Sequence, residues 1–245
     1  MFNAKEQKDK VVQWIREWFE KNGKNCNAVI GISGGKDSTV AAALCAEALG
    51  KEKVYGVLMP DALQEDINDS RTVCKILDIK WSYFNIHDIK NAFIHQLMCE
   101  DYAPTEQAQI NLPPRIRMTM LYLFSQTING RVVNTCNLSE DYVGYSTKYG
   151  DSAGDFAPLK SFTSDEVIAI GKELGLPENL LLKPPSDGLC GKTDEDNLGF
   201  TYAVLNKYIR TGEIDDIEAK AKIDHLHKVN EFKEKVIERY EFKGE

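Results

Sequence analysis

The sequence predicts an α/β fold in which helices cover both faces of a parallel sheet, giving three layers. Short runs rich in β-branched and aromatic residues alternate with longer helical runs, and this order builds a parallel sheet. A chain of 245 residues with 42% hydrophobic content can form one such domain with a full core, but not two large catalytic domains. We therefore expect a single domain over residues 1–245.

The first predicted element is an amphipathic helix with five apolar residues on one face: Val11, Val12, Ile15, Trp18 and Phe19. After it come, in order, strand AVIGI, helix TVAAALCAEALG, strand KVYGVLM, helix INDSRTVCKILD, strand WSYFNI, helices DIKNAFIHQLM and RIRMTMLYLFSQTI, and strand RVVNTC. In parallel sheets, ligands bind where the carboxyl ends of the strands open into loops. The loops SGGKDS, MPDAL and NTCNLSE occupy such positions, so we expect them to meet at one crevice.

The second half of the chain begins with a loop rich in Gly, Asp and Tyr, GYSTKYGDSAGD. The helix TSDEVIAIGKELG follows, with Thr163 as its expected N-cap and Glu166 at the spacing of a capping box. Residues 183–193, KPPSDGLCGKT, contain two prolines and two glycines, so we expect a flap that orders over bound nucleotide. Two helical runs, NLGFTYAVLNKYI and IEAKAKIDHLHKVNEFKEKVIERY, complete the predicted elements.

Charge and composition disfavour several classes of function. The net charge is −8 and the basic residues are scattered, which argues against binding to nucleic acid. No segment has the apolar core of a signal peptide or the length of a membrane span, so we expect a cytoplasmic protein that acts on small molecules. The six cysteines form no C-x-x-C pair, and Cys45 and Cys74 lie among apolar residues, so we expect these two in the core.

The stretch GISGGKDST, residues 31–39, is similar to a Walker loop but fails that pattern at two places. Three residues rather than four separate Gly31 from Gly35, and Lys36 is followed by Asp37 rather than by Ser or Thr. What remains is a glycine-rich turn between a strand and a helix, where backbone N–H groups and the helix N-terminus bind an anion. The turn therefore predicts phosphate binding without Walker chemistry.

The residue types in this turn suit a nucleotide bound with Mg²⁺. The two glycines let the backbone approach phosphates, the two serines offer hydroxyls, and Asp37 supplies a hard oxygen ligand. The six residues SGGKDS resemble the S-G-G-x-D-S signature of the ATP pyrophosphatases, which split ATP between its α- and β-phosphates. The ATP-binding residues that this resemblance implies are Gly31, Ile32, Ser33, Gly34, Gly35, Lys36, Asp37 and Ser38.

Four further segments resemble the NAD synthetases among these enzymes. NLPPRIRM is similar to their N-x-x-x-R-x-R-M segment, NTCNLSE to G-T-x-N-x-x-E, GYSTKYGDSAGD to G-Y-x-T-K-Y-G-D-x-x-x-D, and KPPSDGL with KTDEDNLGFTY to K-x-P-S-A-x-L and Q-T-D-E-x-x-L-G-x-x-Y. The matches keep the family's order from residue 30 to residue 202. The resemblance implies an adenine-nucleotide alpha-hydrolase-like fold, which is a Rossmann-like three-layer sandwich.

The resemblance also implies a reaction and a set of site residues. ATP would adenylate the carboxylate of nicotinic acid adenine dinucleotide (deamido-NAD), and ammonia would displace AMP to give NAD, in a homodimer that uses Mg²⁺ as cofactor. By residue-for-residue match, the catalytic metal ligands are Asp37 and Glu140, the further ATP contacts are Thr135 and Ser186, and the substrate contacts are Arg115, Lys148, Asp155, His227 and Lys228.

Three positions depart from the family pattern. Asn134 replaces the glycine of G-T-x-N, Ser164 stands where the family has an ATP-contacting lysine, and Asp187 replaces a small residue. Lys160 or another residue could supply the missing phosphate contact, or ATP binds with one cation fewer.

Other interpretations of these residues remain open. Arg115 and Arg117 could form only the polar face of a helix, Glu140 could be a solvated loop residue, and His227 could be exposed on a charged helix. Two rival functions also remain: another ATP pyrophosphatase, such as a tRNA-modifying enzyme, and a nucleotide sensor without activity. The retention of both proposed Mg²⁺ carboxylates argues against the sensor. A glutaminase would need its own nucleophile and domain, so we expect ammonium rather than glutamine to be the nitrogen source.

Overall fold

A four-stranded parallel sheet forms the centre of the protein in a computed structural model that describes residues 2–64, 67–183, 194–235 and 237–242. Its strands, in chain order, are β1 (Asn27–Gly31), β2 (Val54–Leu58), β3 (Lys80–Tyr83) and β4 (Gly130–Val132). They lie side by side in the order β3-β2-β1-β4. Ala28 pairs with Val54 on one side of β1 and with Arg131 on the other, so the predicted parallel sheet is confirmed.

Helices surround this sheet on both faces. The longer ones are α1 (Ala4–Asn22), α2 (Lys36–Leu49), α3 (Ile67–Ile76), α4 (His87–Cys99), α5 (Glu106–Thr127), α7 (Ser164–Glu173), α10 (Tyr202–Thr211) and α11 (Ile217–Asn230). The shorter ones are α6 (Leu138–Val143), α8 (Glu178–Leu181) and α9 (Asp194–Leu198), and single 3₁₀ turns span Lys51–Lys53 and Glu231–Lys233.

Successive side chains along each strand point to opposite faces of the sheet, which divides the core into two layers. Ala28 and Ile30 of β1 face a cluster built with α1, α2 and α7, whereas Val29 faces a second cluster with Ile116 and Leu121 of α5. A third cluster, away from the sheet, joins α6 to α10 and α11 through residues such as Val143, Leu205 and Ile223. The predicted three-layer sandwich is therefore confirmed, and the third cluster positions the C-terminal helices.

The predicted burial of the first two helices also holds. The alanine-rich helix α2 lies between the sheet and two other helices, and small side chains permit this close packing. Cys45 and Cys74 are fully buried, as the sequence predicts, and burial raises the pKa of the Cys74 thiol to about 11. Trp18 of α1 stacks on Phe156, with 4.6 Å between ring centroids.

Three helix boundaries differ from the sequence-based expectation. Helix α5 begins at Glu106, well before Arg115, because Thr105 caps it by accepting a hydrogen bond from the Ala108 N–H and the helix continues through two prolines. The run NLGFTYAVLNKYI contains two helices, because Gly199 adopts a left-handed conformation with φ of 74°.

The last predicted helix is too long. It ends at Asn230 instead of continuing to Tyr240, and residues 237–242 are not helical. Ile237 and Tyr240 are largely exposed, so they give a helix no apolar surface to pack against, and packing supplies most of a helix's stability. Among the described residues, no helix combines the length and the apolar character that a membrane crossing requires.

Candidate functional site

The glycine-rich turn after β1 has the geometry of an anion site. Gly34 has a φ of 84°, and a Cβ atom there would come within 2.8 Å of the Asp69 Cβ and 2.9 Å of the Ser70 nitrogen, so only glycine fits. The Ser33 hydroxyl accepts a hydrogen bond of 3.2 Å from the Gly35 N–H, which fixes the turn. Helix α2 begins immediately after it, and its first N–H groups have no partner within the helix.

Two loops of the predicted crevice meet through one hydrogen bond. Asp37, in the first turn of α2, accepts a bond of 3.0 Å from the amide of Asn137 at its Oδ1 atom. Asn137 is also the N-cap of α6, where its side-chain oxygen accepts bonds of 3.0 and 3.2 Å from the N–H groups of Ser139 and Glu140. The loop after β1 and the loop after β4 therefore hold the two proposed metal carboxylates on neighbouring helix N-termini.

A buried lysine lies among these carboxylates. The Lys36 side chain is only 8% exposed, and its Nζ atom donates to the Asp37 Oδ2 atom at 2.8 Å. Burial alone would lower the pKa of Lys36, but the charges of Asp37, Glu140 and Asp194 outweigh it and raise that pKa above its ordinary value. The Lys36 ammonium group is therefore a fixed positive charge beside the glycine-rich turn at residues 31–38, which we call the phosphate turn.

The carboxylates around Glu140 repel its negative charge, and a further cation would stabilise it. Burial raises the pKa of Glu140 well above its ordinary value, and the charge of Asp37 raises it further, against the opposing effect of Lys36. A divalent cation would relieve this repulsion between carboxylates, and carboxylate oxygens suit Mg²⁺. Within the described ranges, no group of three or more His, Cys, Asp or Glu side chains forms a complete metal site. Mg²⁺ at this position would therefore complete its coordination with phosphate oxygens and water, as it commonly does.

The structure adds residues to the site that sequence reasoning did not select. The Tyr202 hydroxyl donates to the Asp194 Oδ2 atom at 3.4 Å, and the Tyr202 ring centroid is 5.9 Å from the Lys36 Nζ atom. Burial and the charge of Glu140 raise the pKa of Tyr202 above its ordinary range. Asp194 and Tyr202 both lie in the matched KTDEDNLGFTY segment, so that motif could have identified them as site residues.

Asn134, the first departure from the family pattern, now has a structural explanation. Its side-chain amide donates bonds of 2.9 and 3.1 Å to the carbonyls of Asp151 and Ala153, and its side-chain oxygen accepts from the Cys136 N–H at 3.0 Å. Thr135, the predicted ATP contact, is half-buried directly beside it. Asparagine at this position therefore holds the turn before Asp155 against the end of β4.

Lys160, one candidate for the contact that is missing at Ser164, pairs with two carboxylates. The Lys160 Nζ atom lies 3.3 Å from Asp141 and 2.5 Å from Glu234, so two carboxylates hold it. The Ser164 hydroxyl is buried and accepts a bond of 3.1 Å from the Asn206 amide. Lys36 is thus the buried cation that the structure places among the proposed metal ligands.

The predicted substrate residues fall into two groups. The Arg115 Nε atom donates to the Lys148 backbone carbonyl at 3.3 Å, which ties the loop that carries Lys148 to α5. Asp155 accepts a bond of 2.7 Å from the Val132 N–H and one of 3.4 Å from the Tyr122 hydroxyl, whose pKa is raised to about 12 by burial and by Asp155. Tyr122 lies seven residues after Arg115 and hence on the same face of α5.

The proposed His-Lys pair lies on the third cluster. The His227 ring stacks on Tyr142 with 4.1 Å between centroids, and its Nδ1 atom is 2.8 Å from the Tyr142 carbonyl. Lys228 is exposed beside it. Tyr142 follows Glu140 by two residues in α6, so His227 packs against the helix that carries the second carboxylate.

The last sequence-based predictions concern the flap and the MPDAL loop. Ser186, Asp187 and most of the flap at 183–193 lie outside the described residues, but the Lys183 Nζ atom is 2.6 Å from Asp69, beside the phosphate turn. The MPDAL loop contributes the Met59 side chain, whose Cε atom would be 3.4 Å from a Cβ on Gly31. The loops after β1 and β4 are therefore joined by the Asp37–Asn137 bond, and the loop after β2 begins beside the end of β1.

Comparisons with known proteins agree on one family. The family model described as NAD synthase matches residues 7–244. The NH(3)-dependent NAD(+) synthetase of Pyrococcus horikoshii is 40% identical over 202 residues, which cover 82% of this chain and 77% of that protein. Among solved structures, the NMN synthetase from Francisella tularensis superposes with a TM-score of 0.91 and 32% identity, over 99% of this chain and 100% of that one. The NH3-dependent NAD synthetase from Campylobacter jejuni gives 0.80 and 32%, over 98% and 100%. The chain belongs to the NAD synthase family.

Proposed function

We propose that this chain amidates nicotinic acid adenine dinucleotide to NAD with ammonia and ATP, through an acyl-adenylate. The observation that carries the proposal is the bond between Asp37 and Asn137, because it joins the ATP pyrophosphatase turn to the second matched motif and its carboxylate, Glu140. A substrate carboxylate oxygen attacks the α-phosphorus and pyrophosphate leaves. Ammonia then attacks the acyl carbon, and AMP leaves with that oxygen.

The residues of this chain have separate roles in that scheme. The turn from Gly31 to Ser38 binds the ATP phosphates, with Thr135 and Ser186 as further ATP contacts and Lys36 as a fixed positive charge. Asp37 and Glu140 would hold Mg²⁺, which when bound would offset phosphate repulsion and stabilise negative charge on the leaving pyrophosphate. The residues proposed to bind the dinucleotide are Arg115, Lys148, Asp155, His227 and Lys228.

The second candidate function is amidation of nicotinic acid mononucleotide. It is favoured by the TM-score of 0.91 to an enzyme described as an NMN synthetase, against 0.80 for the NAD synthetase from Campylobacter jejuni. The two reactions share the same chemistry at the nicotinate carboxylate. Their substrates differ in whether they carry an adenylyl half, which the site must then accommodate.

The first prediction distinguishes these functions. Purified enzyme with ATP, Mg²⁺ and ammonium should convert the dinucleotide to NAD with a higher kcat/KM than it shows for the mononucleotide, and glutamine should not replace ammonium. Chromatography of the amidated products measures both. A higher kcat/KM for the mononucleotide would select the second candidate, and amidation of neither nucleotide would contradict the proposal.

A second prediction concerns assembly. No residue of α4 is buried in the single chain, and the helix exposes Phe93, Leu97 and Met98, while Leu123 of α5 is 61% exposed. Such apolar surface indicates an interface, so we propose a homodimer. Light scattering should give twice the chain mass of 27.6 kDa, and Phe93→Glu should shift the protein towards the monomer. A wild-type protein that stays monomeric at micromolar concentration would contradict this proposal.

The proposed location is the cytoplasm. Five cysteines within the described ranges, including the exposed Cys99, are free thiols, which fits a reducing compartment.

A further inference from the structure

Lys36 is a cation enclosed by carboxylates. Within the described ranges, no other lysine or arginine is buried, and the Lys36 side chain is only 8% exposed. Its ammonium group donates to the Asp37 Oδ2 atom at 2.8 Å, and the negative charges of Glu140 and Asp194 stabilise it further. These carboxylates include both proposed Mg²⁺ ligands. A positive charge of the protein itself therefore lies where the site would otherwise need a bound cation.

Both oxygens of the Asp37 carboxylate already have donors within the protein. The Oδ1 atom accepts from the Asn137 amide at 3.0 Å, and the Oδ2 atom accepts from Lys36. A divalent ion at Asp37 must share the Oδ2 atom with an ammonium group, and two positive charges at such short range repel each other strongly. Lys36 and a divalent ion therefore compete for the same oxygen in the nucleotide-free protein.

The place of Lys36 in the chain also suits contact with a phosphate chain. It is the first residue of α2, directly after Gly35, so it lies at the helix N-terminus that attracts an anion. The Ser33 and Ser38 hydroxyls of the same turn are 3.1 Å apart. A lysine has three donors on a flexible four-carbon stem. The ammonium group can therefore pass from Asp37 to a phosphate oxygen without movement of the helix.

The start of α7 supplies no positive charge to the same region. Its first residue, Ser164, belongs to a closed ring of hydrogen bonds between three residues. The Ser139 hydroxyl donates to the Asn206 Oδ1 atom at 2.6 Å, the Asn206 amide donates to the Ser164 hydroxyl at 3.1 Å, and the Ser164 N–H donates to the Ser139 hydroxyl at 3.0 Å. Ser139 directly precedes Glu140. Since this ring is neutral, the positive charge next to Glu140 comes from α2, through Lys36.

We propose that Lys36 is a built-in cation of the catalytic site, which takes the place of a divalent ion in the nucleotide-free enzyme and binds the pyrophosphate part of ATP during the reaction. This inference rests on the proposed function. When the bond between the α-phosphorus and the oxygen that bridges to the β-phosphate breaks, its electron pair stays on the pyrophosphate. The Lys36 ammonium group stabilises this charge by hydrogen bonding, and no proton needs to move. Its departure from Asp37 would free that carboxylate for the Mg²⁺ that arrives with ATP.

The first test measures the binding of inorganic pyrophosphate and of AMP by calorimetry in the presence of EDTA, so that no metal ion contributes. Lys36→Met keeps most of the stem and removes the charge. We expect it to weaken pyrophosphate binding about tenfold or more, as the loss of one charged hydrogen bond does, and AMP binding less than about twofold. Lys36→Arg should retain most of the affinity for pyrophosphate.

Lys8→Met is the matched control and should change neither affinity. The Lys8 side chain is 15% exposed, and its ammonium group lies 2.7 Å from Glu47 and 3.0 Å from Asp9, outside the proposed site. Equal weakening of pyrophosphate and AMP by Lys36→Met would show a general structural role and overturn the inference. Equal pyrophosphate binding by Lys36→Met and wild type, including no binding by either, would overturn it too.

The second test measures the binding of Mn²⁺, as a probe for Mg²⁺, by electron paramagnetic resonance without nucleotide. Because the ammonium group competes with the metal for the Asp37 Oδ2 atom, Lys36→Met should bind Mn²⁺ about tenfold more tightly than wild type. Adding Asp37→Asn to Lys36→Met should abolish this gain. Unchanged or weaker Mn²⁺ binding by Lys36→Met would overturn the inference.

Thermal unfolding shows whether each variant is folded at the assay temperature. If Lys36→Met is not, Lys36→Gln replaces it, since its amide can still donate to Asp37, and it should show the same two changes to a smaller extent. Normal amidation together with unchanged pyrophosphate and Mn²⁺ binding in the variant would refute the inference alone. No amidation by wild type, with both binding changes present in the variant, would refute the proposed function and support the role of Lys36 as a built-in cation.

Discussion

Replacing Asp37 by asparagine is expected to lower kcat by roughly 10²–10³-fold, which is the loss seen when a group that stabilises transition-state charge is removed. The amide keeps the shape of the side chain, and its oxygen can still accept the bond from Asn137. What it loses is the negative charge that pairs with Lys36 at 2.8 Å and that is proposed to hold Mg²⁺. The decrease should persist at saturating ATP and be only partly relieved by excess Mg²⁺.

Asp88→Asn is the matched control for this variant. Asp88 is also the second residue of a helix, α4, but its side chain is exposed and is not part of the proposed site. Initial rates and thermal unfolding should be measured for both variants across a series of Mg²⁺ concentrations. Near-normal turnover of Asp37→Asn at modest Mg²⁺ would remove Asp37 from the set of metal ligands.

Replacing Glu140 by glutamine is expected to have opposite effects on activity and on stability. Turnover should fall by a similar roughly 10²-fold, because the second carboxylate of the proposed Mg²⁺ site is lost. The Tm measured without divalent cations should rise, because the charged side chain is partly buried beside Asp37 and the neutral amide avoids the cost of desolvation. The gain in the free energy of unfolding should be about 1 kcal/mol near neutral pH.

The pH dependence follows from the direction of the pKa shift. The folded state raises the pKa of Glu140 above its ordinary value of 4.5, so it binds this proton more tightly than the unfolded chain does. Ionisation of Glu140 therefore destabilises the fold as the pH rises above 4.5 and stops adding to this cost above the raised pKa. The Tm difference between Glu140→Gln and wild type should be largest at alkaline pH and vanish below 4.5. A variant that is less stable at every pH would show that Glu140 is a structural residue.

Much of the fold could be predicted because its signals are local. The four strands follow from hydrophobic runs, and the capping box at α7 follows from two residues, with the Thr163 N–H donating to the Glu166 side chain at 2.9 Å. The errors concern features that depend on distant packing. The end of α11 could not be read from its sequence, because the residues after Asn230 alternate charged and apolar groups without showing whether a partner surface exists.

The site could be predicted only in part for the same reason. The phosphate turn is encoded by consecutive residues, and the strain-free fit of Gly34 against Asp69 supports that prediction. Asn137 lies 100 residues from Asp37, and Asp194 and Tyr202 are further away still, so only the fold shows that they converge. The structural use of Asn134 was likewise hidden, because its partners lie in a later turn.

The central claim is that the substrate carboxylate attacks the α-phosphorus of ATP, and the fate of one oxygen atom tests it most directly. Nicotinic acid adenine dinucleotide labelled with oxygen-18 in its nicotinate carboxylate should be incubated with the enzyme, ATP, Mg²⁺ and ammonium, and the products analysed by phosphorus NMR. We predict pyrophosphate without label, and AMP in which the phosphorus carries one oxygen-18 atom for each NAD formed. ADP together with labelled inorganic phosphate would show attack at the γ-phosphorus and would contradict the account.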